Sequence, residues 1–302
     1  DVVALQRYLS FLWCPGEGTP LKAVRKLQPG EAIVVSQGKI KRKWVWYQLP
    51  VFRHPTPVTD EKSVVHSTAI GLRNAVHRQM VADVPLGAFL SGGLDSSAIV
   101  AFARDVNPDI HCYTIKGARE DGMADDLPYA RKVAKHLGVP LEVIEVEGKR
   151  MANDLEGMVA QLDEPLADPA ALNVLYISQL ARQFGAKVLL SGAGGDDLFS
   201  GYRRHRALMA QRYLNWLPKG LRCGLEAATQ ALDKRNPLTR RLAKYFDGAA
   251  LEGDARLVNF FCWGREAELR SLFSPEFRSL LSAERAAEPL LDFLRPLDSD
   301  VP

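Results

Sequence analysis

Leu90-Ser91-Gly92-Gly93-Leu94-Asp95-Ser96-Ser97 decides the fold. The apolar run before it, residues 84–90, reads as a buried strand. Residues 96–105 read as the helix that follows. Gly92 and Gly93 let backbone N–H groups approach a ligand closely. The helix N-terminus behind them favours an anion. Asp95 stands where it can hold a hard cation beside that anion. Strand, glycine loop and helix in this order predict a phosphate-and-magnesium site on an α/β sheet.

The same alternation continues outward. Further strands are expected at 110–115, 141–146 and 187–190. Thr59 or Asp60 can cap a helix with Val65, Ala69, Leu72 and Val76 on one face. Asp126 and Pro128 start another, with Ala130, Val133, Ala134 and Leu137 inward and Gly138 at its end. Helical segments are expected over 151–162 and over 170–184, the second closed by Gly185. The remainder, to residue 302, reads mostly as helices. The fold class is therefore α/β: a doubly wound, mostly parallel sheet with C-terminal helices. In such sheets ligands bind beyond the carboxyl ends of the strands, where strand order reverses. If the second and third strands lie to one side of the first, and the fourth to the other, the reversal falls between first and fourth. The loop at 91–95 and the loop Ser191-Gly192-Ala193-Gly194-Gly195-Asp196-Asp197 then face one crevice.

Residues 1–55 have another character. Gln28-Pro29-Gly30 is a turn signal. Residues 32–35 and 40–47 read as two strands joined by a hairpin turn at 36–39. A lone hairpin needs more sheet to pack on. His54-Pro55-Thr56-Pro57 reads as a linker, which places the domain boundary between residues 1–55 and 56–302.

Bulk properties narrow the class. Apolar residues make up 47% of the 302 and charged residues 25%, as in a soluble globular protein. A net charge of +3 does not by itself indicate a nucleic-acid partner. No apolar run is long enough to span a membrane. Cys14, Cys112, Cys223 and Cys262 are scattered, which argues against a zinc site or a disulfide framework and fits the cytoplasm. The chain starts at Asp1 and ends in Asp-Val-Pro, and reads as a piece of a longer protein.

The two loops share a Ser-Gly start, a further glycine and a following aspartate. Asp95 and Asp196 together can hold Mg²⁺, which takes a few carboxylates plus phosphate oxygens. Ser91, Gly92, Gly93 and Ser96 can cradle phosphates through backbone and hydroxyl donors. A glycine turn with Asp95 as a helix cap is the plainer reading of one loop alone; two matched loops after two strands disfavour it. The Lys-Ser or Lys-Thr ending of a Walker loop is missing, so transfer of the terminal phosphoryl group is not the natural reading.

Ser91-Gly92-Gly93-Leu94-Asp95-Ser96 resembles the pyrophosphate loop of the ATP pyrophosphatases. More narrowly, residues from about 56 to 210 resemble the synthetase domain of glutamine-dependent asparagine synthetase. The resemblance rests on residues 82–97, Asp163-Glu164-Pro165, Val188-Leu189-Leu190-Ser191-Gly192, Gly194-Gly195-Asp196-Asp197-Leu198-Phe199 and Gly201-Tyr202. Residues 1–50 resemble the tail of that family's glutaminase domain through Tyr8-Leu9, Lys26-Leu27-Gln28-Pro29-Gly30 and the hairpin.

The resemblance implies ATP and Mg²⁺ as cofactors. Adenine would lie near the backbone of Phe89, Leu90 and Ile115 and near Ser191 and Gly192. Pyrophosphate and metal would be held by residues 91–96 with Asp95 and Asp196. Asp95, Asp196 and Tyr202 are the catalytic candidates. Aspartate would form an acyl-adenylate, and glutamine-derived ammonia from the glutaminase domain would displace AMP. No nucleic acid and no membrane are implied, and a homodimer is admitted.

Within the second loop this chain departs from the family. The glutamate that follows Ser-Gly in the second loop of the best-known members is Ala193 here. Asp168, Glu164 and Tyr202 are nearby substitutes, yet Glu164 and Asp168 can equally cap turns and Tyr202 can equally pack on the sheet. Cys14 precedes Pro15 and reads as a packed residue. Arg203, Arg204 and Arg206 fit a solvated helix face or a phosphate contact. His111 and His136 read as structural or exposed. Three functions stay open: an asparagine-synthetase-type ligase, an amidotransferase acting on a sugar acid, peptide or secondary-metabolite carboxylate, and a nucleotide-binding module without catalysis.

Overall fold

The computed structural model describes residues 1–50, 60–116, 126–168, 170–214, 216–233, 235–264, 266–281 and 286–295. The linker expected at 54–57 and the cap candidate Thr59 lie outside them. Two compact units form, and they cut across chain order. The central unit comprises Pro57–Leu162 and Asp168–Tyr202. The terminal unit comprises Asp1–Thr56, Asp163–Ala167 and Arg203–Pro302.

The terminal unit opens with α1 (Val2–Phe11), capped by the Asp1 carboxylate, which accepts from the Val3 and Ala4 N–H groups. β1 (Glu31–Ser36) and β2 (Lys39–Val45) pair antiparallel, with Ser36 opposite Lys39. Between them Gln37 and Gly38 both adopt positive φ, 51° and 70°, which matches the twist of a two-residue hairpin turn. At Gly30, φ is 76° and an added Cβ would strike the Tyr47 carbonyl, so the turn before the hairpin requires glycine. Val34, Val35, Ile40, Val45 and Trp46 remain exposed on this two-stranded sheet.

The central unit carries the site. Asp60 caps α2 (Glu61–Gln79) by accepting from Lys62 N–H (3.3 Å) and Ser63 N–H (3.0 Å). Only the C-terminal half of α2 is buried, through Leu72, Val76 and Met80; Val65 and Ala69 are exposed. The apolar periodicity is present, but the first two turns have nothing to pack on among the described residues. β3 (Leu86–Phe89) leads to α3 (Leu94–Arg104), then β4 (His111–Lys116), α4 (Leu127–Leu137), β5 (Leu141–Glu145), α5 (Gly148–Val159), α6 (Ala170–Gln183) and β6 (Val188–Leu190). The first expected strand is shorter than 84–90, and the helix after it starts two residues earlier than 96.

The sheet order is β5-β4-β3-β6, with parallel pairing throughout. The reversal therefore falls between β3 and β6, as the conditional order required. Gly87 sits at the centre, where a Cβ would press on the Tyr113 ring at 2.6 Å and on Leu189 at 3.0 Å. Glycine there lets both neighbouring strands crowd β3. One sheet face packs Leu90, Val100, Ala103, Ile110, Cys112, Ala130 and Ala134 into a core. Each large side chain fully buried there contributes about 1.5–3 kcal/mol. The other face packs Tyr113, Ile177 and Ala181 with Phe89, Ile115 and Leu189.

Burial also sets cysteine behaviour. Cys14 and Cys112 are buried, whereas Cys223 is exposed. Burial pushes the Cys112 thiol from 9.0 up to about 12. The folded state thus keeps a proton that the unfolded chain gives up above about pH 9, so this contribution to stability is full below that pH and lost as pH rises toward 12. A thiol reagent at neutral pH is expected to label Cys223 in the native protein and Cys112 only after unfolding. Labelling of Cys112 at the rate of Cys223 without denaturant would contradict this packing.

After the central unit the terminal unit resumes. α7 (Gly195–Leu198) closes the second loop inside the central unit. α8 (Arg203–Ala210), α9 (Lys219–Gln230), α10 (Pro237–Phe246), α11 (Gly253–Asn259), α12 (Glu266–Leu272), α13 (Pro275–Leu280) and α14 (Glu288–Leu294) then follow. Two buried arginines organise α9–α11. Arg222 reaches the Ala249 carbonyl (3.2 Å) and Glu252 (2.6 Å); Arg256 reaches the Tyr245 carbonyl (2.6 Å) and the Asp247 carbonyl. The Arg222 hydrogen bond holds the Glu252 carboxyl below its usual range. Among the described residues no helix is long and apolar enough to cross a membrane.

Candidate active site

The first loop is a closed ring of serine contacts. Ser91 N–H donates to Ser96 Oγ (3.3 Å), the two hydroxyls lie 3.0 Å apart, and Gly93 N–H donates to Ser91 Oγ (3.3 Å). Ser96 Oγ donates onward to the Gly93 carbonyl (3.3 Å). These bonds fix the loop shape, so the serines are scaffold as well as donors. Gly92 has φ 79°, and a Cβ on it would meet the Tyr129–Ala130 backbone at the start of α4. Ser97 N–H makes the helical bond to the Gly93 carbonyl (3.1 Å). The N–H groups of Leu94, Asp95 and Ser96 precede it, at the electropositive end of α3.

The second loop folds onto the first. Gly192 lies so close to α3 that a Cβ would stand 2.8 Å from Ser96 N and 3.0 Å from Asp95 Cβ. At Gly195 a Cβ would strike the Asp95 carboxylate itself. At Gly201 it would strike the Asp196 carboxylate. Asp95 is thus seated against the residue that precedes Asp196, and the two loops, a hundred residues apart in sequence, share one place. Gly195 and Gly201 stand in the motifs that carry the resemblance, but the sequence reading gave neither a role in the site. Their signal was the density of glycine around the aspartates, which marks close approach of backbone to side chain.

The other candidates divide. Phe89 and Ile115 are half-buried at the carboxyl ends of β3 and β4 and share one cluster. The Leu90 side chain is buried in the opposite core, and its N–H donates to the Tyr113 carbonyl (3.0 Å). Burial raises the Tyr113 phenol above its usual range and keeps it neutral. Ser191 is exposed and accepts from Ala193 N–H (3.1 Å). Ala193 is exposed and brings no ionisable group. Tyr202 is half-buried, directly after Gly201.

Asp168 accepts from Ala170 N–H (2.9 Å), an Asx-type contact at the start of α6. Glu164 is engaged by Lys26 (2.9 and 3.0 Å) within the terminal unit. Arg204 stacks on Phe261 (4.8 Å), while Arg203 and Arg206 are exposed. Cys14 is packed, and His111 and His136 are exposed.

The donor set suits a hard cation and an anion together. Asp95 and Asp196 supply carboxylate oxygens, and the α3 N-terminus supplies backbone donors. Among the described residues no three His, Cys, Asp or Glu side chains group closely enough to hold a metal by themselves. Asp95 and Asp196 are the carboxylates that would hold a Mg²⁺ ion, and phosphate and water oxygens would supply its remaining ligands.

Comparison with known proteins matches this arrangement. The asparagine synthase family model matches residues 68–288. Glutamine-hydrolyzing asparagine synthetase 1 of Bacillus subtilis (strain 168) is 33% identical over 224 residues, covering 74% of this chain and 34% of that protein. Glutamine-hydrolyzing asparagine synthetase 3 of the same organism is 29% identical over 202 residues, covering 62% and 32%. Amidase chyE of Penicillium rubens is 26% identical over 223 residues, covering 68% and 33%. The chain spans about a third of the length of these relatives. The matched span takes in both glycine loops and the strands that bring them together, so the chain belongs to the asparagine synthase family.

Proposed function

We propose that this chain is the nucleotide-activating part of an amide-forming ligase of the asparagine synthetase type. The observation that carries the reading is the seating of Asp95 against Gly195, which brings two aspartate-bearing glycine loops to the sheet's reversal point. In this reading residues 1–55 are the tail of a glutaminase domain, and 56–302 begin the synthetase domain. ATP lies with its base near Phe89, Ile115 and Ser191–Gly192 and its phosphates on residues 91–96. A carboxylate oxygen of aspartate attacks the α-phosphorus, and the bond to pyrophosphate breaks. Ammonia nitrogen then attacks the acyl carbon, AMP leaves, and a proton is lost from nitrogen.

The α3 N-terminus and loop N–H groups stabilise charge developing on pyrophosphate without reorganising. Asp95 and Asp196 would hold Mg²⁺, which neutralises the same charge when bound. In this reading Tyr202, which follows Gly201, would orient the acyl group.

Ala193 favours a second reading of the substrate. A loop without its glutamate lacks one acid–base group, which suits a carboxylate other than aspartate. The amidase-named relative is in keeping with such diversity.

ATP–pyrophosphate exchange in the full-length protein tests both. Exchange that rises with aspartate is expected for the first reading. Exchange with a sugar acid or peptide carboxylate, and none with aspartate, selects the second. No exchange with any carboxylate, despite ATP binding, overturns the ligase and leaves a binding module.

A further inference from the structure

We propose that Lys116 is a phosphate-binding residue of the nucleotide site; the proposal rests on the reading above that residues 91–96 hold the phosphates of ATP. Neither glycine loop carries Lys or Arg, from Ser91 to Ser97 or from Ser191 to Tyr202. A triphosphate seated there meets backbone donors, hydroxyls and two aspartates, and no basic side chain from either loop. The neighbouring strand β4 supplies one. Lys116, its partner Glu145 and the first loop all belong to the central unit.

At the carboxyl end of the sheet β4 runs past β3. Their pairing stops at Phe89 opposite Tyr113, where Leu90 N–H donates to the Tyr113 carbonyl (3.0 Å). On its other side β4 stays paired with β5 as far as Lys116 opposite Glu145. Val146 N–H donates to the Lys116 carbonyl (3.0 Å), which fixes the backbone there. Side chains alternate along a strand. Tyr113 and Ile115 pack in the cluster on the α6 face, and Cys112 packs in the core on the other. Lys116 therefore lies on the Cys112 face. α3 packs on that face through Val100 and Ala103, and α4 through Ala130 and Ala134. The first loop leads into α3, and its Gly92 seats against Tyr129–Ala130. Loop and lysine thus share one face and one end of two adjacent strands. Adjacent strands are about 4.8 Å apart, within reach of a flexible four-carbon stem.

The Lys116 ammonium donates to Glu145 Oε1 (2.9 Å), and the two side chains are 39% and 65% exposed. An exposed pair of this kind is worth little. A phosphate oxygen offers the same ammonium a charge-assisted bond in its place. The lysine would turn from β5 toward the loop, and its charge would offset the charge that builds on departing pyrophosphate. Glu145 then competes for the ammonium rather than serving the site, which fixes the sign of the test.

The test is titration calorimetry of ATP and of inorganic pyrophosphate, each with Mg²⁺, on the full-length protein, with thermal melting beside it. Lys116→Met is expected to weaken both ligands about tenfold, the scale of one lost charged hydrogen bond, and to flatten the dependence of affinity on salt. Lys116→Arg keeps the charge and is expected to bind both within about threefold of the unsubstituted protein. Glu145→Gln releases the ammonium and is expected to bind both at least as tightly as the unsubstituted protein. Melting is expected to move little in all three, since the pair is exposed. If Lys116 only ties β4 to β5, Lys116→Met and Glu145→Gln break the same pair and weaken binding alike. Equal weakening by Glu145→Gln therefore overturns the proposal, as does wild-type affinity in a folded Lys116→Met protein. Failure of the unsubstituted protein to bind ATP or pyrophosphate sinks the nucleotide reading, and this proposal with it. Normal binding by both the unsubstituted protein and Lys116→Met sinks the role of the lysine alone.

Discussion

Asp95→Asn is expected to lower ATP–pyrophosphate exchange by about 10²- to 10³-fold, the usual cost of removing one preorganised electrostatic group from a charge-developing site. The substitution keeps the size and shape of the side chain. The close approach of Gly195 is therefore kept, and the helix still starts at Leu94. What is lost is one negative charge facing the proposed cation. The same charge also favours the α3 N-terminus, so its removal is expected to cost about 0.3–1 kcal/mol of stability. Activity and stability thus separate: a fall in exchange of two decades or more, against a small shift in melting. A Mg²⁺ titration sharpens the result, since the variant is expected to need more Mg²⁺ for its residual rate. Near-wild-type exchange in a well-folded Asp95→Asn protein would reduce Asp95 to a helix-start residue and remove it from the site.

The sheet was legible because its strands are short apolar runs set off by capped helices. Asp60, Gly138 and Gly185 marked ends that hold in the structure, with φ of 68° and 85° at the two glycines. The hairpin was legible for a similar reason, since Gln37-Gly38 is a turn that sequence chemistry specifies. Strand order followed from a conditional argument about the reversal point, and the β5-β4-β3-β6 order satisfies it.

What could not be read is what depends on distance rather than pattern. Val65 and Ala69 carry helical periodicity without burial, because periodicity states which residues share a face and not what covers it. The Lys26–Glu164 pair spans 138 residues, and no local signal links its members. Gly195 and Gly201 were visible as glycines, but their use became visible only when carboxylates were found against them.

Gly195→Ala isolates that use, because Gly195 does not occupy the left-handed region. An alanine there strains no backbone; its only quarrel is with Asp95, whose carboxylate the new Cβ would strike. Either the carboxylate turns away or the second loop lifts from α3, and both displace the two aspartates relative to each other. A misplacement of about 1 Å in a catalytic arrangement costs on the order of 10² in rate, and that loss is expected in exchange. The neighbouring glycine supplies the opposite case. Gly194 has φ 91° and open space around its Cβ position. Gly194→Ala is therefore expected to cost about 1–2 kcal/mol through backbone strain while keeping exchange within a few-fold. The pair turns one loop into two separable measurements, melting for Gly194→Ala and exchange for Gly195→Ala. Combined with Asp95→Asn, Gly195→Ala is expected to cost less than it does alone, since one of the two charges it displaces is already gone. Independent, additive losses would mean that Gly195 serves some partner other than Asp95.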